Sequence, residues 1–337
     1  MAQILGFTLL SLFVTSLLIV PFIDFLYKIK LRREHQQTRD IFDKPTPVFD
    51  KFNSWKVGTP FGGGLLIIIV VTVLAIWGYG MFDINIPGWE AFVILFTFIS
   101  FGLLGLYDDV KKLINGDHKI TFFGLRFRYK FLLQWILAFI IAFVFYYKLG
   151  YTFLFIRGIG LASIGFLFIP FAAFVIVSFA NAFNIADGLD GLASGLLLIC
   201  LVAFLAIASS NVDQGLGIFI AILLGSVAAF LYFNVYKARI WLGDVGSLSL
   251  GASLAVIGLL TGKITALAII GGVFVLEVGS SLIQLAGKKF LKRKLLPVAP
   301  IHLYFLKRGW DEPKIVMRAW LLGAFFAILG LYIAYVK

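Results

Sequence analysis

Ten apolar runs, most of them close to the length that crosses a bilayer as a helix, leave this chain few ways to fold. They fall at about 4–26, 61–79, 91–107, 131–148, 163–181, 193–209, 216–235, 247–261, 264–286 and 315–336. A helix needs roughly 20 apolar residues to span the hydrocarbon core. Only structures that satisfy their own backbone hydrogen bonds survive there. Composition agrees: 61% of the 337 residues are hydrophobic and 14% are charged, against about 25% charged in a soluble domain. The expected fold is an all-α integral membrane protein with about ten transmembrane helices, one polytopic domain over residues 1–337. The first run has no basic residue before it and "YKIKLRR" after it. That is the reverse of a cleavable leader, so it is expected to stay as a membrane helix.

The charges orient the chain. Of 29 lysines and arginines, 25 fall on one set of alternating connections, at 28–60, 108–130, 236–246 and 287–314, with Arg318 at the edge of the last span. Four, Lys148, Arg157, Lys263 and Lys337, fall on the other side. Basic loops stay in the cytoplasm, so both termini are expected outside. The net charge of +12 then reflects loops beside anionic lipid, with no nucleic acid partner required. One cysteine, Cys200, rules out a disulfide framework. The three histidines, His35, His118 and His302, have no zinc-ligand spacing.

The acids are placed unevenly. Asp83, Glu90 and Asp213 lie on the outer side. Asp108, Asp109, Asp117, Asp187, Asp190 and Asp244 gather at three successive cytoplasmic connections. Asp24, Glu34, Asp40, Asp43, Asp50, Asp311 and Glu312 read as solvated surface. In "FGLLGLYDDVKKL", adjacent aspartates at the end of an apolar helix repel each other and need a cation or proton between them. In "NIADGLDGLASG", Asp187 and Asp190 are one helical turn apart, with Asn181 and Asn184 upstream. They share a face if the helix continues, and either could instead cap the next helix. In "ARIWLGDVGSLSLG", Asp244 stands between glycines before a helix, where it can cap or bind a metal. Glu277 lies inside the ninth span, where a carboxylate marks a functional site or a buried hydrogen bond. Gly271, Gly272 and Gly279 around it suggest a broken or bent helix. The run "GTPFGGGLL" suits either helix packing or close approach to a ligand. Beside the acids stand Lys56, Lys111, Lys112, Lys119, Arg126, Arg128, Lys130, Lys237 and Arg239. Carboxylates with lysines on one membrane face are the material of a magnesium–phosphate site.

These stretches resemble a known family. "NAFNIADGLDGLASG", "GLYDDVKK" and "FNVYKARIWLGDVGSLSLG" are similar to three motifs of the polyprenyl-phosphate N-acetylhexosamine-1-phosphate transferases, glycosyltransferase family 4. Within it, "KVGTPFGGGLLII", "GLRFRYKFLLQW" and "PVAPIHLYFLKRGWDEPKIVMRAW" resemble the bacterial phospho-N-acetylmuramoyl-pentapeptide transferases. The matches run from Lys56 to Trp320 in family order. That family has three successive histidines where this chain has His302, Leu303 and Tyr304.

The resemblance implies a bacterial cytoplasmic membrane enzyme with its active site at the cytoplasmic face. It would join UDP-MurNAc-pentapeptide to undecaprenyl phosphate, release UMP and form lipid I, with Mg²⁺ as cofactor. It implies catalytic roles for Asp108, the general base, for Asp109, and for Asp244, the magnesium ligand. It implies substrate binding by Lys56, Lys112, Lys130, Asn184, Asp187, Asp190 and His302. A UDP-GlcNAc donor stays open at the Leu303 and Tyr304 departure, as does a homodimer. A cation-coupled transporter would place its acids near the midplane, often in paired repeats. A structural scaffold would need no such aspartate motifs.

Overall fold

The computed structural model describes residues 1–32, 50, 54–82, 84, 86–114, 127–156, 160–211 and 213–336. Asp83, His35, Asp117, His118, Lys119 and Arg126 lie outside the described residues. Among the described residues twelve α-helices run in order: α1 Ala2–Lys28, α2 Gly63–Met81, α3 Gly88–Ile114, α4 Phe127–Tyr147, α5 Phe168–Ala186, α6 Leu192–Ser210, α7 Gln214–Asn234, α8 Gly243–Leu260, α9 Ile264–Ile270, α10 Gly272–Phe290, α11 Ile301–Lys307 and α12 Glu312–Tyr335. Among the described residues nine helices are long and apolar enough to cross a membrane. The α9–α10 pair, bent by 77°, would make a tenth. The chain is a multi-span membrane protein of helices, as expected. The glycine-marked break falls at Gly271, between α9 and α10.

A two-stranded antiparallel hairpin, β1 Phe153–Ile156 paired with β2 Gly160–Ser163, interrupts the helical pattern between α4 and α5. It sits at the end of the bundle opposite the acid-rich connections.

Helix α8 is the centre of the bundle: 89% of its span is buried, against 28% for α1, α4 and α12. Its sequence explains the position. "GDVGSLSLGASLAVIGLL" is rich in Gly, Ser and Ala, so neighbouring backbones can approach closely. Helices α2, α3 and α5 pack directly on it. A Cβ on Gly64 would come within 2.1 Å of the Gly246 Cα, and one on Gly105 within 2.1 Å of the Asp244 carbonyl. The glycine run at the head of α2 is therefore a helix-packing contact. Gly63 and Gly64 also donate their backbone N–H groups to the Trp241 and Leu242 carbonyls at 2.8 and 2.9 Å. Polar side chains lock a second seam, where Ser11 donates to the Ile222 carbonyl at 2.7 Å and Thr15 to Ser226 at 2.9 Å.

This packing predicts a paired outcome. Gly64→Ala forces apart two backbones, and overpacking of this kind costs about 1–3 kcal/mol. Gly80→Ala, in the same helix with nothing within 4 Å, gains helix propensity. Thermal unfolding in detergent is expected to show a lower Tm for Gly64→Ala and an unchanged or higher one for Gly80→Ala. Equal shifts for the two variants would contradict the account.

Candidate active site

The acid-rich connections meet at one end of the bundle, where Lys56, Lys112 and Lys130 also lie. Asp108 and Asp109 project from the last turns of α3, both 2% exposed. Adjacent helical residues point about 100° apart, so the two carboxylates do different things. Asp109 turns to α8 and accepts from the Val245 backbone N–H at 3.0 Å. It supplies the cap that α8 lacks locally, since Leu242 at the N-cap makes no side-chain bond. Asp244 sits in the first turn of α8 and does not cap it.

Asp108 and Asp244 share two cations. Lys112, one turn after Asp108, is 3.1 Å from Asp108 Oδ2 and 2.8 Å from Asp244 Oδ2. Lys130, at the head of α4, is 3.1 Å from Asp108 Oδ2 and also bonds Asp244 Oδ2. Lys112 reaches Asp109 Oδ1 at 3.6 Å as well. The other oxygen of Asp244 accepts from Asn184 Nδ2 at 3.0 Å, and that amide also reaches Ser247 at 2.6 Å. One turn deeper in the membrane, Asn181 donates to Gln134 at 2.6 Å and ties α5 to α4. Asp108, Asp109, Asp244, Lys112, Lys130 and Asn184 thus form one cluster.

With all three carboxylates ionised, two ammonium groups leave one negative charge over. Two carboxylate oxygens from different helices converge on the same cation position, beside partly exposed lysines. This donor set fits Mg²⁺, a hard ion that takes one or two carboxylates and fills its shell with water and substrate phosphate. Among the described residues no group of three His, Cys, Asp or Glu stands in metal-holding geometry. A site of two carboxylates completed by substrate is the kind these residues can offer.

Asp187 and Asp190 do not share a helical face. Helix α5 ends at Ala186, with Asp187 as its C-cap. Helix α6 begins after Gly191, whose φ of 77° is the left-handed value that favours glycine and which makes no side-chain cap. Asp187 stays half-buried at the rim. Burial and the nearby Asp244 charge push its carboxyl well above the ordinary range, against the pull of Lys56.

Asp190 turns away into a closed network. Its carboxylate lies 3.0 Å from Lys56 Nζ and accepts from Ala238 N–H at 2.9 Å and Trp241 Nε1 at 3.2 Å. Lys56 also binds Glu312 at 2.8 Å and donates to the Gly188 carbonyl at 3.3 Å. Glu312 accepts from the Asp190 backbone N–H at 2.6 Å. Asn234 accepts from Gly191 N–H at 3.2 Å, and Trp320 donates to the Gly191 carbonyl at 3.2 Å. The 187–191 turn is therefore pinned from three directions.

Glu312 corrects the sequence reading. It was expected on solvated surface, but it is 7% exposed and ion-paired. Its partner Lys56 lies 256 residues away, so nothing local marks it. Asn234 and Trp241 were also missed. His302 does not stand alone: its Nδ1 is 2.9 Å from Glu277 Oε2. Leu303 is buried, and Tyr304 stacks under Arg308 at 4.8 Å.

Two outcomes follow from these geometries. Lys56→Met strands two buried carboxylates, and breaking such a pair costs about 3–5 kcal/mol. Thermal melts should show a large Tm loss; an unchanged Tm would remove the network's structural role. Asp187 behaves oppositely. Its folded pKa is raised, so folding is favoured below its unfolded pKa, and that advantage is lost as pH rises through the folded value. Asp187→Asn should raise the Tm of the ligand-free protein near neutral pH, and the gain should vanish in acid.

Comparison with known proteins places the chain as a whole. Residues 91–262 match the model of glycosyl transferase family 4. A phospho-N-acetylmuramoyl-pentapeptide-transferase of Pelagibacter ubique (strain HTCC1062) is 34% identical, over 95% of this chain and 90% of that protein. One from Borrelia hermsii (strain HS1 / DAH) is 36% identical over 95% and 92%. One from Bacillus pumilus (strain SAFR-032) is 33% identical over 98% of both. The chain belongs to glycosyl transferase family 4, among relatives named phospho-N-acetylmuramoyl-pentapeptide-transferases.

Proposed function

We propose that this chain transfers phospho-N-acetylmuramoyl-pentapeptide from its UDP-linked donor to undecaprenyl phosphate, releasing UMP and forming lipid I. The observation that carries the reading is the convergence of Asp108 and Asp244, from α3 and α8, on the same two lysines. Full-length relatives with that printed name support it. The basic connections beside the site favour the cytoplasmic face of a bacterial inner membrane, with both termini outside.

The chemistry is a meeting of anions. An oxygen of the lipid phosphate attacks the phosphorus bearing the sugar. The new P–O bond forms as the bond to UMP breaks, and UMP leaves with the electron pair. Neutralising charge between the reactants dominates such a barrier. Lys112 and Lys130 stand where the two phosphate groups would meet and can pass from Asp108 and Asp244 to phosphate oxygens. Asp108, the carboxylate not committed to capping, takes a proton from the attacking phosphate or orients it. Asn184 holds Asp244 in place through its second oxygen. Mg²⁺, held by Asp244 and Asp108 when bound, would supply charge stabilisation at the diphosphate. The 187–191 turn, held in place by Lys56, and His302 would receive the nucleotide-sugar. The apolar helix faces around the cluster suit a polyprenyl tail lying in the membrane.

A second reading has UDP-GlcNAc as donor. It is favoured by Leu303 and Tyr304, which place no imidazole beside His302. UMP release by purified protein with undecaprenyl phosphate separates the two. Turnover of UDP-MurNAc-pentapeptide, abolished by chelation, is expected. Asp244→Asn should lower kcat on the order of 10²–10³-fold, as for loss of one preorganised charge stabiliser. Turnover of UDP-GlcNAc alone would favour the second reading. No UMP release from any donor would reject both.

A further inference from the structure

Glu277 is not used by the mechanism above. It lies on α10, just past the 77° bend, and is 3% exposed. A carboxylate buried within a membrane bundle needs a partner. Its partner is His302 at the head of α11, itself 2% exposed, with Nδ1 at 2.9 Å from Glu277 Oε2.

The other ring nitrogen carries the inference. His302 Nε2 is buried and has no hydrogen-bond partner among the described residues. It points at Gly188, where an added Cβ would sit 2.8 Å from it. Gly188 lies in the turn that also carries Asp187. A buried polar atom without a partner is costly unless something completes it.

The proton count then fixes what Nε2 can do. A buried pair of one carboxyl and one imidazole avoids a net charge, with its strongest donor matched to its strongest acceptor, in two ways. In one, imidazolium faces carboxylate, and both ring nitrogens carry hydrogen. In the other, the carboxylic acid donates to Nδ1, and the neutral ring keeps its hydrogen on Nε2. Both leave an N–H at Nε2. With its proton on Nδ1 the ring would face either a carboxylate, which buries an uncompensated charge, or the carbonyl of a carboxylic acid, a weaker acceptor whose own O–H then needs another partner.

We propose that Glu277 is a positioning residue that keeps Nε2 of His302 protonated and aimed at the 187–191 turn, where it donates to an oxygen of the UDP-linked donor. This rests on the transferase reading for the identity of the acceptor, but not for the state of the imidazole. Gly188 is part of the device, since any side chain there would occupy the space in front of Nε2.

The test uses full-length protein in detergent with ¹⁵N-labelled histidine. The chain has three histidines, so His302→Asn assigns the signal. The wild-type spectrum near neutral pH is expected to show His302 Nε2 protonated. Glu277→Leu should give a ring in tautomer exchange, with Nε2 no longer fully protonated. Glu277→Gln, whose amide can still donate to Nδ1, should keep most of the wild-type signature. In turnover with UDP-MurNAc-pentapeptide, Glu277→Leu should raise KM about 10–100-fold, the range for a hydrogen bond to a charged group. Its kcat should change much less, and Glu277→Gln should stay within about 5-fold of wild type. In the Glu277→Leu/His302→Asn double variant the losses should not add.

An unprotonated Nε2 in the wild-type protein overturns the proposal, whether or not any variant folds. A Glu277→Leu variant with lowered Tm but unchanged KM also overturns it, since that is a structural effect alone. If the wild-type protein turns over no UDP-sugar, the transferase reading fails separately, and the spectrum still decides the role of Glu277.

Discussion

The carboxylate of Asp244 is held between the ammonium groups of Lys112 and Lys130, and the inner helices are arranged to keep it there. Coulomb attraction alone would not fix the distance. Backbone contact does: Gly105 of α3 lies against the Asp244 carbonyl, and Gly64 of α2 against Gly246. Glycines at these crossings make the approach of α8 a matter of main-chain sterics, which resist deformation more than flexible side chains do. The same crossing presents the N-terminus of α8 to Asp109, which caps it. One of the paired aspartates is thereby committed to structure, and the other is left facing the lysines. The distinction comes from the 100° step of the helix, not from any difference between the two residues.

A second charged network, behind the first, serves the turn rather than the Asp108–Asp244 cluster. Lys56, Asp190 and Glu312 come from three distant parts of the chain and bury one ammonium between two carboxylates. Buried ion pairs often add little net stability, although breaking one is expensive. Here the return is geometric. With Asp190 fixed, Asp187 is left at the rim and Gly188 is presented to His302. The turn is held because its backbone groups are satisfied by Glu312, Asn234 and Trp320.

Much of this was legible in the sequence, for physical reasons that can be named. Span lengths follow from the thickness of hydrocarbon, so the runs located the crossing helices, although the 91–107 run stopped short of the helix end at Ile114 and the 163–181 run began ahead of Phe168. Head boundaries shifted where an acid joined the helix: α8 begins at Gly243 rather than near 247, because Asp109 satisfies its first amides. The bend at Gly271 was marked by glycines. The gathering of Asp108, Asp187 and Asp244 was marked by their placement at connections that alternate toward one side. Partners were not legible. Glu312 sits in "GWDEPK", which looks like any solvated turn, and Lys56 is too far along the chain to suggest itself. Glu277 stood out by its apolar neighbours, yet nothing in the sequence joined it to His302. The β1–β2 hairpin is too short, and too apolar throughout, for an alternating pattern to reveal it.

The account turns on whether Asp108 and Asp244 form a single divalent-ion position that substrate phosphate completes. Electron paramagnetic resonance of Mn²⁺, a spectroscopic substitute for Mg²⁺, measures this on the purified protein with UDP present. The account predicts one bound Mn²⁺ whose signal is lost in Asp244→Asn and weakened in Asp108→Asn, while Asp190→Asn retains it. Undiminished Mn²⁺ binding in both Asp108→Asn and Asp244→Asn would place the ion elsewhere and contradict the account.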